Sequence, residues 1–321
     1  MKRLIFTIVV CLTTSVLSLA QASATPPLTD KDYVRIEADS TSGFTYPYYL
    51  YTPPEVTANA KKTHTILVLP NNTGKVDDDV AVHEADVKRR MSMSGQVASL
   101  LKVAVLMPVF PRPASNWQIY TQALDRDSMV TDKKEYRRLD LQMVAMIDDA
   151  IKRLARDGLR FDSRVLLNGF SAQGMFANRF TFLHPDRVKA AAIGSPGGWP
   201  IAPVAKYKDK LLRYPVGVGD LKTVAGNDLD MKALRKVPLF IFLGNKDDND
   251  SVPFGDSYDD EDRELINPLF GKMPIDRWAI SESLYKQAGL NAEFKLYPDV
   301  PHTVTPLMRD DIRAFLLKHL N

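Results

Sequence analysis

The chain has 321 residues, of which 45% are hydrophobic and 25% charged, and its 21 prolines and 16 glycines follow no period. This composition excludes a disordered chain, and the lack of repeats, heptads or low-complexity tracts excludes solenoid, collagen-like and coiled-coil architectures. A formal net charge of +3 offers no electrostatic footprint for nucleic acid, so no nucleic-acid partner is expected.

Lys2 and Arg3 precede an apolar run from Leu4 to about Leu19, and Ala22-Ser23-Ala24 follows. The pattern predicts a secretory signal peptide cleaved after Ala24, hence an exported protein, periplasmic or secreted. Cleavage would remove Cys11, the single cysteine, together with two cations. What remains would have near-zero net charge and no disulfide, and packing alone would have to hold it together. Val10 stands where a lipoprotein signal would want a small residue. No later stretch is long and apolar enough to cross a bilayer, so no stable membrane insertion is expected.

Beyond residue 30, strands are predicted at Tyr33–Ala38 and Tyr46–Tyr51, the second closed by Pro53-Pro54. Continuous apolar runs at His64–Leu69 and Val103–Val109 read as strands buried on both faces, with a helix between them at Ala85–Leu101. A second helix is predicted over Leu139–Leu154, with Leu141, Val144, Ile147, Ile151 and Leu154 as its apolar stripe. Four more strands (Arg164–Phe170, Val188–Ile193, Leu239–Leu243, Glu293–Tyr297) alternate with helices near Gln173–Leu183, Pro274–Gln287 and Thr305–Leu320. Repeated alternation of this kind predicts an α/β domain over 25–321, with a mainly parallel central sheet flanked by helices. Residues 197–236 break the alternation and are expected to form a small cap or a long loop.

In an open parallel sheet, ligands sit at the carboxyl ends of the strands. Three such ends carry chemistry. Val165–Asn168 runs into Gly169-Phe170-Ser171-Ala172-Gln173-Gly174 and then a helix, a strand-to-helix turn that would expose Ser171 as a nucleophile. Asp247 follows the strand ending at Leu243, and His302 follows the strand ending at Tyr297. A serine needs a base to take its proton, and that base needs a carboxylate to orient it. Of the five histidines, only His302 lies in the loop directly after the last strand, His319 being at the chain terminus.

With these residues the sequence resembles the α/β-hydrolase superfamily, within it the secreted esterase and polyester-depolymerase-like branch, over nearly the whole chain after the leader. The resemblance implies an acyl-enzyme mechanism with Ser171, Asp247 and His302 and no cofactor. The family elbow is usually G-x-S-x-G; here Gln173 takes the second glycine position and glycine comes one residue later. The implied oxyanion hole uses the N–H of Ala172 and one from Asn71 or Asn72, in a loop with Pro70-Asn71 where many relatives have His-Gly.

Asp250 is the alternative acid, and the acidic run on through Asp262 is expected to be a solvated loop; no metal-binding spacing is present. Trp199 and Trp117 are candidates for the substrate pocket, each equally readable as packing, and Arg112 is expected in a surface salt bridge. The expected activity is hydrolysis of a small-molecule or polymeric carboxylic ester. A peptidase or amidase on the same fold, and a catalytically silent envelope binding protein, remain as alternatives.

Overall fold

A computed structural model describes residues 26–320; the expected leader and Cys11 lie outside the described residues. Eight strands build the central sheet: β1 (Tyr33–Ile36), β2 (Tyr48–Tyr51), β3 (Ile66–Val68), β4 (Ala104–Pro108), β5 (Val165–Phe170), β6 (Val188–Gly194), β7 (Leu239–Gly244) and β8 (Ala292–Tyr297). Their spatial order is β1-β2-β4-β3-β5-β6-β7-β8. The β1–β2 and β2–β4 pairs are antiparallel, and every pair from β4 to β8 is parallel.

Successive residues of a strand point to opposite faces, and here both faces are buried, so the central strands are apolar throughout. Val68, Leu106, Leu167 and Ile241 face one core layer, while their neighbours Leu67, Val105, Leu166 and Phe240 face the other. The second layer is covered by α1 (Val80–Ser92), α2 (Gly95–Leu101) and, from the end of the chain, Pro306–Lys318. The first is covered by α3 (Leu139–Arg156), α4 (Ala172–Leu183) and Pro274–Gln287.

The helix expected over Ala85–Leu101 is two helices, broken at Met93–Ser94, where the Ser94 hydroxyl donates to the Met91 carbonyl. The stripe of α3 is rotated from the predicted one. Met143, Met146, Ile147, Ala150 and Leu154 are buried, whereas Leu141 is exposed.

Residues 197–236 contain a two-stranded hairpin (Lys206–Tyr207 with Lys210–Leu211) and two helical turns, Leu221–Ala225 and Met231–Leu234. The acidic stretch, expected as a solvated loop, is in part helical: α5 spans Asp260–Phe270, with Asp259 and Asp262 forming a capping box at its start. Helices α6 (Pro274–Gln287) and α7 (Pro306–Lys318) follow. The parallel strands bring their carboxyl ends to one edge, and the loops after β3, β5, β7 and β8 form the site there.

Candidate active site

Ser171 caps α4 with φ 60° and ψ −128°. A non-glycine residue in that region is strained, by about 1–3 kcal/mol, and the turn packs too tightly to relax. A Cβ at Gly169 would stand 2.2 Å from the Gln173 carbonyl oxygen, and one at Gly174 would stand 2.4 Å from the Gly194 carbonyl oxygen. Glycine is therefore required at those two positions. Position 173 carries a long side chain because that chain leaves the turn, its Nε2 donating to the Pro70 carbonyl.

His302 Nδ1 lies 3.0 Å from Asp247 Oδ1 and 2.9 Å from Oδ2. Asp247 is almost fully buried. Burial alone would raise its carboxyl. The His302 hydrogen bond, the neighbouring Ser195 hydroxyl and the imidazole charge outweigh burial and hold it below the ordinary carboxylate range. Ser195 Oγ, itself buried and without a hydrogen-bond partner of good geometry among the described residues, faces this carboxylate. The other side of the imidazole rests on Phe170, with ring centroids 4.7 Å apart.

The loops carrying the pair are zipped together. Lys246 N–H donates to the Val300 carbonyl at 3.0 Å, and Asp299 N–H donates to Asn245 Oδ1 at 2.7 Å.

Ser171 and His302 line one cavity of about 820 Å³. Its walls are mostly apolar (Leu69, Val97, Phe170, Phe242 among them), with Arg90, Arg309 and Arg313 as its cations and Asp310 as its carboxylate. The N–H of Ala172 belongs to the first turn of α4, where helix N–H groups have no partner within the helix.

Asn72 lines the cavity, whereas Asn71 is buried and its amide is spent on the Phe110 main chain, donating to the carbonyl at 2.7 Å and accepting from the N–H at 3.1 Å. Beneath this loop His83 is fully buried in α1. Its Nδ1 is 2.7 Å from the Thr73 hydroxyl.

No family model and no curated protein matches the sequence. Solved structures do. The structure of a poly(aspartic acid) hydrolase from Sphingomonas sp. KT-1 is similar at 18% identity and a TM-score of 0.56, covering 84% of this chain and 93% of its own. That of a poly(3-hydroxybutyrate) depolymerase from Bordetella parapertussis gives 17% identity and a TM-score of 0.50, covering 87% and 84%. The chain has the α/β-hydrolase fold. At this identity the likeness speaks for the α/β-hydrolase architecture, with the depolymerase branch among the similar structures, and the residues must carry the rest.

Several candidates lie elsewhere in the fold. Asp250, the alternative acid, is not the partner of His302: Arg277 holds its carboxylate in a buried two-pronged pair at 2.8 and 2.9 Å. Trp199 does not line the cavity. It is buried, stacks on Phe270 at 4.0 Å and donates from its indole to the Val216 carbonyl at 2.7 Å. Trp117 does not line it either; half exposed, it lies near Gly255.

Arg112 pairs with Asp256 at 2.5 Å and sits over the Tyr120 ring, so its salt bridge is largely buried rather than on the surface. The remaining acids also have arginine partners: Asp259, Glu261 and Asp262 share Arg213, and Asp260 pairs with Arg263.

Two contributors escaped the sequence reading. Ser195 follows β6 with nothing in its surroundings to mark it. Arg90 was legible in principle: it falls three residues after Val87 and seven after His83, so this charge lies on the buried side of α1.

Proposed function

We propose that this protein is an exported serine hydrolase that cleaves a carboxylic ester through an acyl-enzyme. The observation that carries the reading is the buried Asp247 carboxylate on His302 Nδ1, in a site where His302 shares one cavity with a serine on a strained strand-to-helix turn. With Nδ1–H donating to Asp247, Nε2 is left free to accept the Ser171 proton as Oγ attacks the ester carbonyl. The N–H groups of Ala172 and of the Asn71–Asn72 loop stabilise the oxyanion, a contribution typically of about 3–4 kcal/mol per donor. Protonated His302 then returns the proton to the leaving alcohol. Water, activated by the same imidazole, releases the acid. Asp247 stabilises the imidazolium in both steps. The role needs no cofactor.

An apolar cavity of this size suits an ester with an apolar body, small or the end of a polymer. Export rests on the sequence of residues 1–24.

The test is hydrolysis of p-nitrophenyl esters from acetate to palmitate by the protein and by Ser171→Ala. Turnover that falls at least about a thousandfold in the variant is the expected result. Absence of both turnover and fluorophosphonate labelling in the parent would remove the reading.

A further inference from the structure

We infer that Gln173 and Arg90 form a clamp that aims the second oxyanion donor, and that this donor is the N–H of Asn72; the inference rests on the serine-hydrolase reading above. Residues 69–74 leave β3 without helix or strand, so their peptide planes must be fixed by other contacts. Gln173 Nε2 donates to the Pro70 carbonyl. Arg90 Nη2 donates to the Asn72 carbonyl at 2.8 Å, Arg90 Nη1 reaches Gln173 Oε1 at 3.4 Å, and Asp86 anchors the guanidinium at 2.6 Å. On the loop's other side the Asn71 amide grips the Phe110 main chain, and Thr73 N–H donates to Gln122 Oε1 at 3.0 Å.

A trans peptide is planar, with its C=O and N–H pointing in opposite directions. Drawing the Pro70 carbonyl toward Gln173 therefore turns the Asn71 N–H away from the elbow. Holding the Asn72 carbonyl and the Thr73 N–H fixes the plane after Asn72. The Asn71–Asn72 peptide lies between two fixed planes, and its N–H belongs to the one asparagine of the pair that lines the cavity.

The clamp also gives the departure from G-x-S-x-G a purpose. The side chain that replaces the second glycine joins the nucleophile's own turn to the oxyanion loop, so the two donors, Ala172 N–H and Asn72 N–H, are held relative to each other. Oxyanion donors act only when preorganised at about 2.7–3.1 Å from the developing charge. A clamp of this kind should therefore act on the transition state more than on substrate binding.

The experiment compares the parent with Gln173→Gly, Gln173→Glu and Arg90→Met. It measures kcat and KM on one p-nitrophenyl ester, the inhibition constant of a trifluoromethyl ketone that forms a tetrahedral adduct with the serine, and the thermal midpoint. For Gln173→Gly, kcat should fall about 10- to 100-fold, less than the 10²–10³ of deleting a donor outright. KM should stay within about threefold, and the ketone should weaken by the same factor as kcat.

Gln173→Glu keeps the length and the Arg90 contact but has no donor for Pro70, so it should lose activity in parallel. The double variant of Gln173→Gly with Arg90→Met should lose less than the product of the single losses, because both act on one loop. Unchanged kcat in Gln173→Gly, or a kcat loss without the matching loss of ketone affinity, overturns the clamp while the hydrolase reading stands. A parent inert to both ester and fluorophosphonate overturns the hydrolase reading and the clamp with it.

Discussion

At the scale of single residues, Ser171, Asp247 and Asp250 make opposite demands on the fold. The φ of 60° at Ser171 suits glycine, so Ser171→Gly should abolish turnover yet raise the melting temperature, by the equivalent of about 1 kcal/mol once glycine's own entropy cost is deducted. A lower melting temperature would show that the elbow is not strained. Asp247→Asn should leave the fold nearly intact and lower kcat by about 10⁴, because an amide favours the wrong imidazole tautomer. Asp250→Ala should do the reverse. It strands a buried Arg277 charge, and chemical denaturation should show a loss of about 3–5 kcal/mol.

Asp125 sets a pH dependence. Burial, reinforced by the Asp127 charge, pushes its carboxyl up to about 7. Unfolded, it ionises near its ordinary value of about 4. Between those values only the unfolded chain gives up the proton, so stability falls as pH rises through that window and stays lowered above it. Asp125→Asn keeps an oxygen for the Asp127 and Ser128 N–H groups and removes the penalty. Its melting temperature relative to the parent should climb from pH 4.5 to 7.5; a flat difference would place the carboxyl's ionisation elsewhere.

At the scale of elements, α7 contributes Arg309 and Arg313, one helical turn apart, to the cavity wall. Arg313 pairs with Asp310, whereas the Arg309 guanidinium bonds only the Val304 carbonyl among the described residues. An ester bearing a terminal carboxylate should therefore show a higher kcat/KM than its neutral isostere. The gap should shrink in 0.5 M salt and in Arg309→Gln, and equal rates in low salt would remove α7 from substrate selection.

The strands β3 to β7 were legible in the sequence because burial on both faces makes them short apolar runs whatever surrounds them. Helix α5 was not. Its start is held by Asp259, its acids by Arg213 some 46–49 residues away in the chain, and its end by Phe270 against Trp199. The Asp259–Asp262 capping box is a local signal, but the Arg213 and Trp199 contacts are not visible in a local window. Trp199, equally readable as pocket or packing, is a core residue because of partners that are likewise distant in the chain.

At the scale of the whole molecule, the order of the strands fixed more of the candidate site than any motif did. Ser171, Asp247 and His302 could be picked out because each follows a strand and parallel strands end together. The choice between Asn71 and Asn72 could not be read, since a backbone N–H carries no residue identity and its direction depends on Gln173 and Arg90 from two other elements.

The pairing of the loops after β7 and β8 has a mechanical consequence. Asp247 and His302 ride on one stapled unit, while Ser171 belongs to the β5–α4 turn, with no hydrogen bond to the imidazole among the described residues. Thermal motion at the site then reduces to one coordinate, the gap between a rigid acid–base arm and the nucleophile. A viscous solvent should change how often that gap closes while leaving the Asp247–His302 pair itself intact.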